Sequence, residues 1–321
     1  MTASSPPFEV WNLRTDVPGA SSTNSEPMGS KEKVWLRIIG QARPWLFKFS
    51  RQSAGIIVGE HWSEKLGAEF AQLLGVRTAR VELATLDGRP GSLVERFPEL
   101  GQDKGAETSI ADLIPGNDVL AGHDVTYPRA SMRGEPQHCI ERIIAAITLA
   151  IPNEAERQQA LKALAGIMVL DALILNTDRH HENWGIIQSR DALGNVRHTL
   201  APSFDMASSL ARNEPEERCR EWMADRALDR PAWYARRGQT RGGIWLHDTD
   251  HHGANPLDLV AARSAVEPEL FKPWLERVQD LSSEAITALV DRIPGDMMWP
   301  GQRAFATALV RRTRLFLCDL P

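Results

Sequence analysis

Ile167-Met168-Val169-Leu170-Asp171-Ala172-Leu173-Ile174-Leu175 runs directly into Asn176-Thr177-Asp178-Arg179-His180-His181-Glu182-Asn183. Apolar residues at helical spacing predict a helix over 154–176. Eight polar residues after it cannot continue a buried helix, so 176–183 is read as a loop at the edge of a core. The flanking chain is soluble in composition: 42% hydrophobic and 25% charged residues. Its 37 Lys and Arg against 42 Asp and Glu leave a net charge of −5. A mildly acidic chain is a poor general binder of nucleic acid, so no direct nucleic-acid partner is expected. No apolar run reaches the ~20 residues of a membrane span, and no secretory leader is visible. Cys139, Cys219 and Cys318 are too few and too far apart for a disulfide framework. The expectation is a cytoplasmic protein without a membrane partner.

Working outward, Asp178 and Asn183 stand five positions apart, the D-x-x-x-x-N spacing in which an Asp accepts a hydroxyl proton and an Asn binds a metal ion during phosphoryl transfer. Ser203-Phe204-Asp205 follows behind a short hairpin expected over 185–187 and 198–200, with its turn at Gly194-Asn195. Magnesium takes oxygen ligands and phosphates, which Asn183 and Asp205 could supply. Upstream, Lys48 lies between Phe47 and Phe49 in an apolar strand, either on an exposed face or as a cation in a cleft. Glu64, on a helix expected over 60–74, could orient Lys48 by an ion pair; Glu60 and Glu69 are rivals for that role. Met28-Gly29-Ser30-Lys31-Glu32-Lys33 precedes the first clear strand, and a glycine turn can offer N–H groups to phosphate.

Strands are expected over 34–39, 45–49, 80–86 and 92–97, and the first structured hundred residues read β-β-α-β-β. Residues 1–27 are rich in Ser, Thr, Pro and Gly and show no sustained period; they are read as a flexible or loosely docked arm, with structure beginning near Gly29. Residues 98–134 read as a linker and irregular loop. Helices are expected over 140–150, 256–264, 268–281, 283–293 and 302–317. The architecture is α+β, with a small β-rich lobe over 28–98 and a larger helical lobe over 99–321. A cleft between two such lobes is a common ligand site.

Taken together, these pieces resemble the HipA family of kinases, across residues 28–210 and more faintly beyond. Residues 29–33 are similar to the family's phosphate loop and Leu46-Phe47-Lys48-Phe49 to its ATP-lysine strand. Val94-Glu95-Arg96-Phe97 resembles the hinge, residues 175–183 the catalytic loop, and Phe204-Asp205 the metal-binding pair. The resemblance implies a bilobal protein-kinase-like fold, shared with phosphatidylinositol kinases, and ATP-dependent phosphorylation of Ser or Thr on a protein. Asp178 would be the base, and Asn183 and Asp205 would hold Mg2+. Met28, Gly29, Ser30, Lys31, Lys33, Lys48, Glu64 and His180 would serve ATP and its phosphates, and Glu95 and Phe97 the adenine. A toxin role with an antitoxin partner, and autophosphorylation, are further expectations of the resemblance.

Three departures qualify it. The chain begins close to the loop, so the likeness is to shorter, core-only members. The family's autophosphorylated serine falls at Glu26, with Ser25 and Ser30 nearby. Asp205 is followed by Met206-Ala207, not by the Phe-Gly of phosphatidylinositol kinases, so a protein substrate is preferred to a lipid or small molecule. Two readings of other kinds remain: a pseudokinase binding module, and a metal phosphohydrolase built on His247-Asp248-Thr249-Asp250-His251-His252. The arginines of residues 235–241 are a solvated loop or a dock for an acidic or phosphorylated substrate.

Overall fold

The structure is a computed structural model and describes residues 5–15, 20–24, 32–53, 55–100, 110–131, 135–191 and 193–320. The first half holds strands β1 (Val10–Leu13), β2 (Ala20–Asn24), β3 (Lys33–Ile38), β4 (Trp45–Phe49), β5 (Gln52–Ser53) and β6 (Ile56–Ile57). Helix α1 (Glu60–Leu74), β7 (Val81–Leu86) and β8 (Arg89–Glu95) follow. Then come β9 (Ile110–Pro115), α2 (Gly116–His123), α3 (Ile140–Ala150), α4 (Glu154–Ile174), β10 (Gly185–Arg190) and β11 (Val196–Leu200). The remainder is helical: α5 (Glu216–Ala224), α6 (Arg230–Arg236), α7 (Pro256–Val266), α8 (Pro268–Asp280), α9 (Ser283–Val290) and α10 (Pro300–Cys318).

Six strands form one sheet in the order β1-β7-β8-β4-β3-β2, antiparallel except for β1 against β7. Alternation sorts its two faces. Leu36, Trp45, Phe47, Ala84, Leu86 and Leu93 make a small core on one face. On the other face Lys33 pairs with Lys48, and Lys48 with Ser92. Residues directly opposite in an antiparallel pair share a face, so the sheet presents a polar row there. Helix α1 packs on β7 and β8 and also on α4, α8 and α9. Gly75, at φ +66, closes it in the left-handed conformation glycine tolerates.

Behind the sheet, α4 is the central helix. Every residue from Leu164 to Ile174 is buried, which is what an all-round apolar helix requires. It packs against α1, α3, α7, α8, α10 and β11. A three-stranded sheet, β11-β10-β9, lies beside it. Among the described residues, no helix is long and apolar enough to cross a membrane.

Two readings of the sequence need correction. The stretch 1–27 contributes β1 and β2 to the large sheet, and Phe8 is 7% exposed in the main core. Such short strands carry no measurable period, and β1 pairs with residues some seventy positions later, so nothing local announces it. Residues 98–134, read as loop, contain β9 and α2; β9 is stabilised by its ladder to β10, again a distant partner. The sequence reading also passed over α5 and α6.

Candidate functional site

The polar loop after α4 is folded from beneath by Asp171. Leu175 takes a left-handed conformation, φ +54, and turns the chain out of the helix. The Asn176 N–H donates to the Asp171 carbonyl at 2.8 Å, and its Nδ2 donates to Asp171 Oδ1 at 2.8 Å. Asn176 Oδ1 in turn accepts the Asp178 N–H at 3.1 Å. Arg179 points inward, donating from Nε and Nη2 to both oxygens of Asp171 at 2.8 and 2.7 Å. Burial opposes its charge, and Asp171 outweighs burial to raise its pKa above the ordinary arginine value. Its Nη1 donates to the carbonyls of Asn183 at 2.7 Å and Phe204 at 2.8 Å, and Nη2 also to Ser203 Oγ at 3.0 Å. One guanidinium therefore ties the loop carrying Asp178 and Asn183 to the segment carrying Asp205.

That segment is pinned from the sheet side. The Ser203 N–H donates to the Arg77 carbonyl, and the Ser203 carbonyl accepts the Ala79 N–H. Asp205 stands at φ +54, a costly conformation for a non-glycine residue. Its Oδ1 lies 3.2 Å from Lys48 Nζ. Glu64, fully buried on α1, lies 3.4 Å from the same nitrogen. Burial of Lys48 works against its charge, but Asp205 and Glu64 outweigh it and raise its pKa. The second Glu64 oxygen accepts the Met206 N–H at 3.1 Å. Gly67, one turn on, permits this approach: a Cβ there would stand 2.8 Å from Met206 Cβ. The rivals for Lys48 are engaged elsewhere, Glu60 by Arg51 and Glu69 by Lys65.

On the loop, Asp178 Oδ2 accepts the Ser208 hydroxyl at 3.0 Å. Asn183 Nδ2 donates to the Asp178 carbonyl at 2.6 Å, and no described residue bonds its Oδ1. An amide oxygen and the Asp205 carboxylate are the hard oxygen donors a magnesium ion takes, so this pair fits that cation. Phe97, 8% exposed, packs edge-on against Phe204 with ring centroids 5.7 Å apart. Glu95 is held by Arg43 at 3.0–3.1 Å, and its N–H donates to the Arg80 carbonyl. His180, half-buried, accepts the Glu182 N–H at Nδ1. Lys33 lies across the ladder from Lys48. Met28, Gly29, Ser30 and Lys31, with Ser25 and Glu26, lie outside the described residues.

A layer of histidines supports the loop. His138 Nδ1 donates to the Gly243 carbonyl at 2.6 Å, and Nε2 accepts the Trp184 indole N–H at 3.0 Å, so the ring is neutral. Burial pushes its pKa down to about 3, against the Gly243 hydrogen bond. His181 shares a 2.7 Å bond with the Tyr127 hydroxyl.

Asp171, Arg179, Ser208 and Arg212 escaped the sequence reading. Asp171 alone carried a signal: a lone carboxylate in an apolar helical run needs a buried partner. Among the described residues, no group of three or more His, Cys, Asp or Glu could hold a metal, which removes the support for a hydrolase at residues 247–252. There Asp248 pairs with Arg142 at 3.1 Å. Of the arginines in 235–241, Arg236 pairs with Asp258 and Arg237 with Glu214.

The chain is similar in structure to the Helicobacter pylori proinflammatory kinase CtkA, at 15% identity and a TM-score of 0.74, with 96% of each chain covered. It is similar also to HipA of Shewanella oneidensis MR-1, solved with HipB and operator DNA. That match has 14% identity and a TM-score of 0.54, and covers 97% of this chain but 66% of that one. No curated protein matches the sequence. The two structures establish the fold as HipA- and CtkA-like, a kinase architecture with a small β-rich lobe and a larger helical one. The model of the HipA-like C-terminal domain matches residues 25–265, three quarters of the length, and this chain belongs to that family.

Proposed function

We propose that the chain transfers the terminal phosphate of ATP to a Ser or Thr hydroxyl of a protein. The observation that carries this is the cluster of Lys48, Glu64 and Asp205, at 3.2 and 3.4 Å, tied through Arg179 to the loop that carries Asp178 and Asn183. The lobes divide in this reading at 28–98 and 99–321, with β1 and β2 joining the sheet of the small lobe. Asp178 accepts the hydroxyl proton, with Ser208 and Asn176 holding its carboxyl and its backbone in place. Lys48, oriented by Glu64, supplies positive charge to the phosphates, and Lys33 and residues 28–31 cover them. Phe97 and the backbone near Glu95 border the adenine; His180 flanks the phosphates. Asn183 and Asp205 would hold Mg2+, which supplies neutralisation of phosphate charge when bound. Such catalysis is mostly positioning and electrostatics, and the network around Arg179 provides the positioning.

A protein substrate is preferred to a lipid, since the residue after Asp205 is Met206 and not the Phe of phosphatidylinositol kinases. An antitoxin partner, a toxin role and autophosphorylation at Ser25 or Ser30 belong to the same proposal; intact-mass measurement after incubation with ATP tests the last. The test of the whole is transfer of label from the terminal phosphate of ATP to protein. Asp178→Asn is expected to lower transfer by about 10²–10⁴-fold, with ADP binding unchanged within about twofold. Asp205→Ala is expected to lose both. Equal transfer by wild type and Asp178→Asn would remove Asp178 as the base.

A further inference from the structure

Arg212 follows the Asp205 segment and is 9% exposed. Its backbone is fixed: the N–H donates to the Ser209 carbonyl at 3.2 Å, and the carbonyl accepts the Gly59 N–H at 3.1 Å. Its side chain has an ion pair with Glu60 but no hydrogen bond to a described residue. Among the described residues no guanidinium nitrogen of Arg212 makes a hydrogen bond, and Nε is buried without a hydrogen-bond partner. The nearest carboxylate, Glu60, stands 3.6 Å from Nε, beyond hydrogen-bonding reach. Glu60 is engaged by Arg51 through the backbone N–H, Nε and Nη2, each at 3.0 Å. Two guanidinium groups thus share the Glu60 carboxylate. The Ser209 carbonyl that accepts the Arg212 N–H follows Ser208, whose hydroxyl donates to Asp178 Oδ2, which places Arg212 beside the site; the charges of Asp178 and Asp205 act on it there.

A guanidinium 9% exposed that makes no hydrogen bond to any described residue suits a ligand with several oxygens. Its planar fork matches phosphate. We propose that Arg212 is a phosphate-binding residue beside Asp178, taking a terminal phosphate dianion from one of two sources, a nucleoside triphosphate or a phosphoserine side chain. This rests on the kinase reading above, in which the phosphoryl group must pass close to Asp178 on its way between donor and acceptor oxygens. Burial lowers the Arg212 pKa from the ordinary arginine value, with Glu60 opposing, so the residue gains from a dianionic partner.

The test is calorimetric binding of three probes in the presence of Mg2+: the β,γ-imido analogue of ATP, ADP, and an acetyl-Gly-phosphoserine-Gly-amide peptide. Wild type, Arg212→Gln and Arg212→Lys are compared. A lost charge-assisted fork weakens binding by about tenfold or more. If that loss falls on the imido analogue and spares ADP, the phosphate is the nucleotide's; if it falls on the peptide and spares both nucleotides, it is phosphoserine. Arg212→Lys keeps the charge and loses less. Variants that bind every probe like wild type overturn the proposal, as does a melting temperature of Arg212→Gln more than about 5 °C below wild type, the mark of a structural ion pair. Wild type that binds none of the probes overturns the kinase reading together with this one. Wild type that binds ADP, with unchanged variants, overturns Arg212 alone.

Discussion

Asp171→Asn removes one partner of the deepest ion pair in the site. The side chains of Arg179 and Asp171 are only 4% and 6% exposed and meet through two hydrogen bonds. The variant leaves the guanidinium buried beside a neutral amide, and breaking such a pair from one side costs about 3–5 kcal/mol. For 321 residues at about 2.1 cal/mol/K each, the unfolding entropy is near 0.7 kcal/mol/K, so the melting temperature should fall by about 4–7 °C. Arg179→Met costs a similar amount, since it leaves Asp171 charged and frees the carbonyls of Asn183 and Phe204. The double variant has no uncompensated charge and should cost less than the sum of the singles by about 2 kcal/mol or more. Scanning calorimetry of the four proteins measures this cycle. A single variant within about 1 °C of wild type, or additive costs, would refute the view that this pair carries the loop.

Three further outcomes follow from packing and burial. His138 is neutral in the fold and has an ordinary unfolded pKa, so its stabilisation is complete above about pH 6.5 and is lost as pH falls toward about 3. His138→Gln should flatten the fall in stability between pH 6 and 4.5 by up to about 1.4 kcal/mol per pH unit; equal slopes for wild type and variant would contradict the neutral ring. Gly67→Ala should destabilise by about 1–3 kcal/mol and weaken ADP binding, because its Cβ meets Met206. Gly122→Ala, in α2 with nothing within 4 Å, should instead stabilise by about 0.5–1 kcal/mol; thermal melts that show the same sign for both would refute the packing account.

Strong local patterns were readable. The strand 45–49 and the helices 60–74 and 140–150 match β4, α1 and α3 residue for residue, because alternation, period and a glycine stop all act within the segment itself. At the site, spacing drew attention to Asp178 and Asn183, and the flanking aromatics to Lys48; the structure gathers them with Glu64 and Asp205. What stayed hidden depends on distant partners. Nothing near Val10 tells it to run parallel to Leu83. Asp171 is a single letter in an apolar run, and its role exists only once Arg179 has folded back eight residues later. Arg212 lies in a stretch without period, and its significance is an unmet need for acceptors that only three dimensions reveal.

Helix α1 is gripped from both sides. Ser63 Oγ bonds Ser209, His61 reaches Ser50 through one ring nitrogen and the Met297 carbonyl through the other, and Arg277 donates to the Leu74 carbonyl at its far end. Retracting the helix would strand all these buried groups and part Glu64 from Lys48 in the same movement, at a penalty of several hydrogen bonds at once. A swing of α1 would therefore be costly. In the kinase reading proposed above, control would fall on what enters the site at its rim, while the glutamate behind the lysine stays in place.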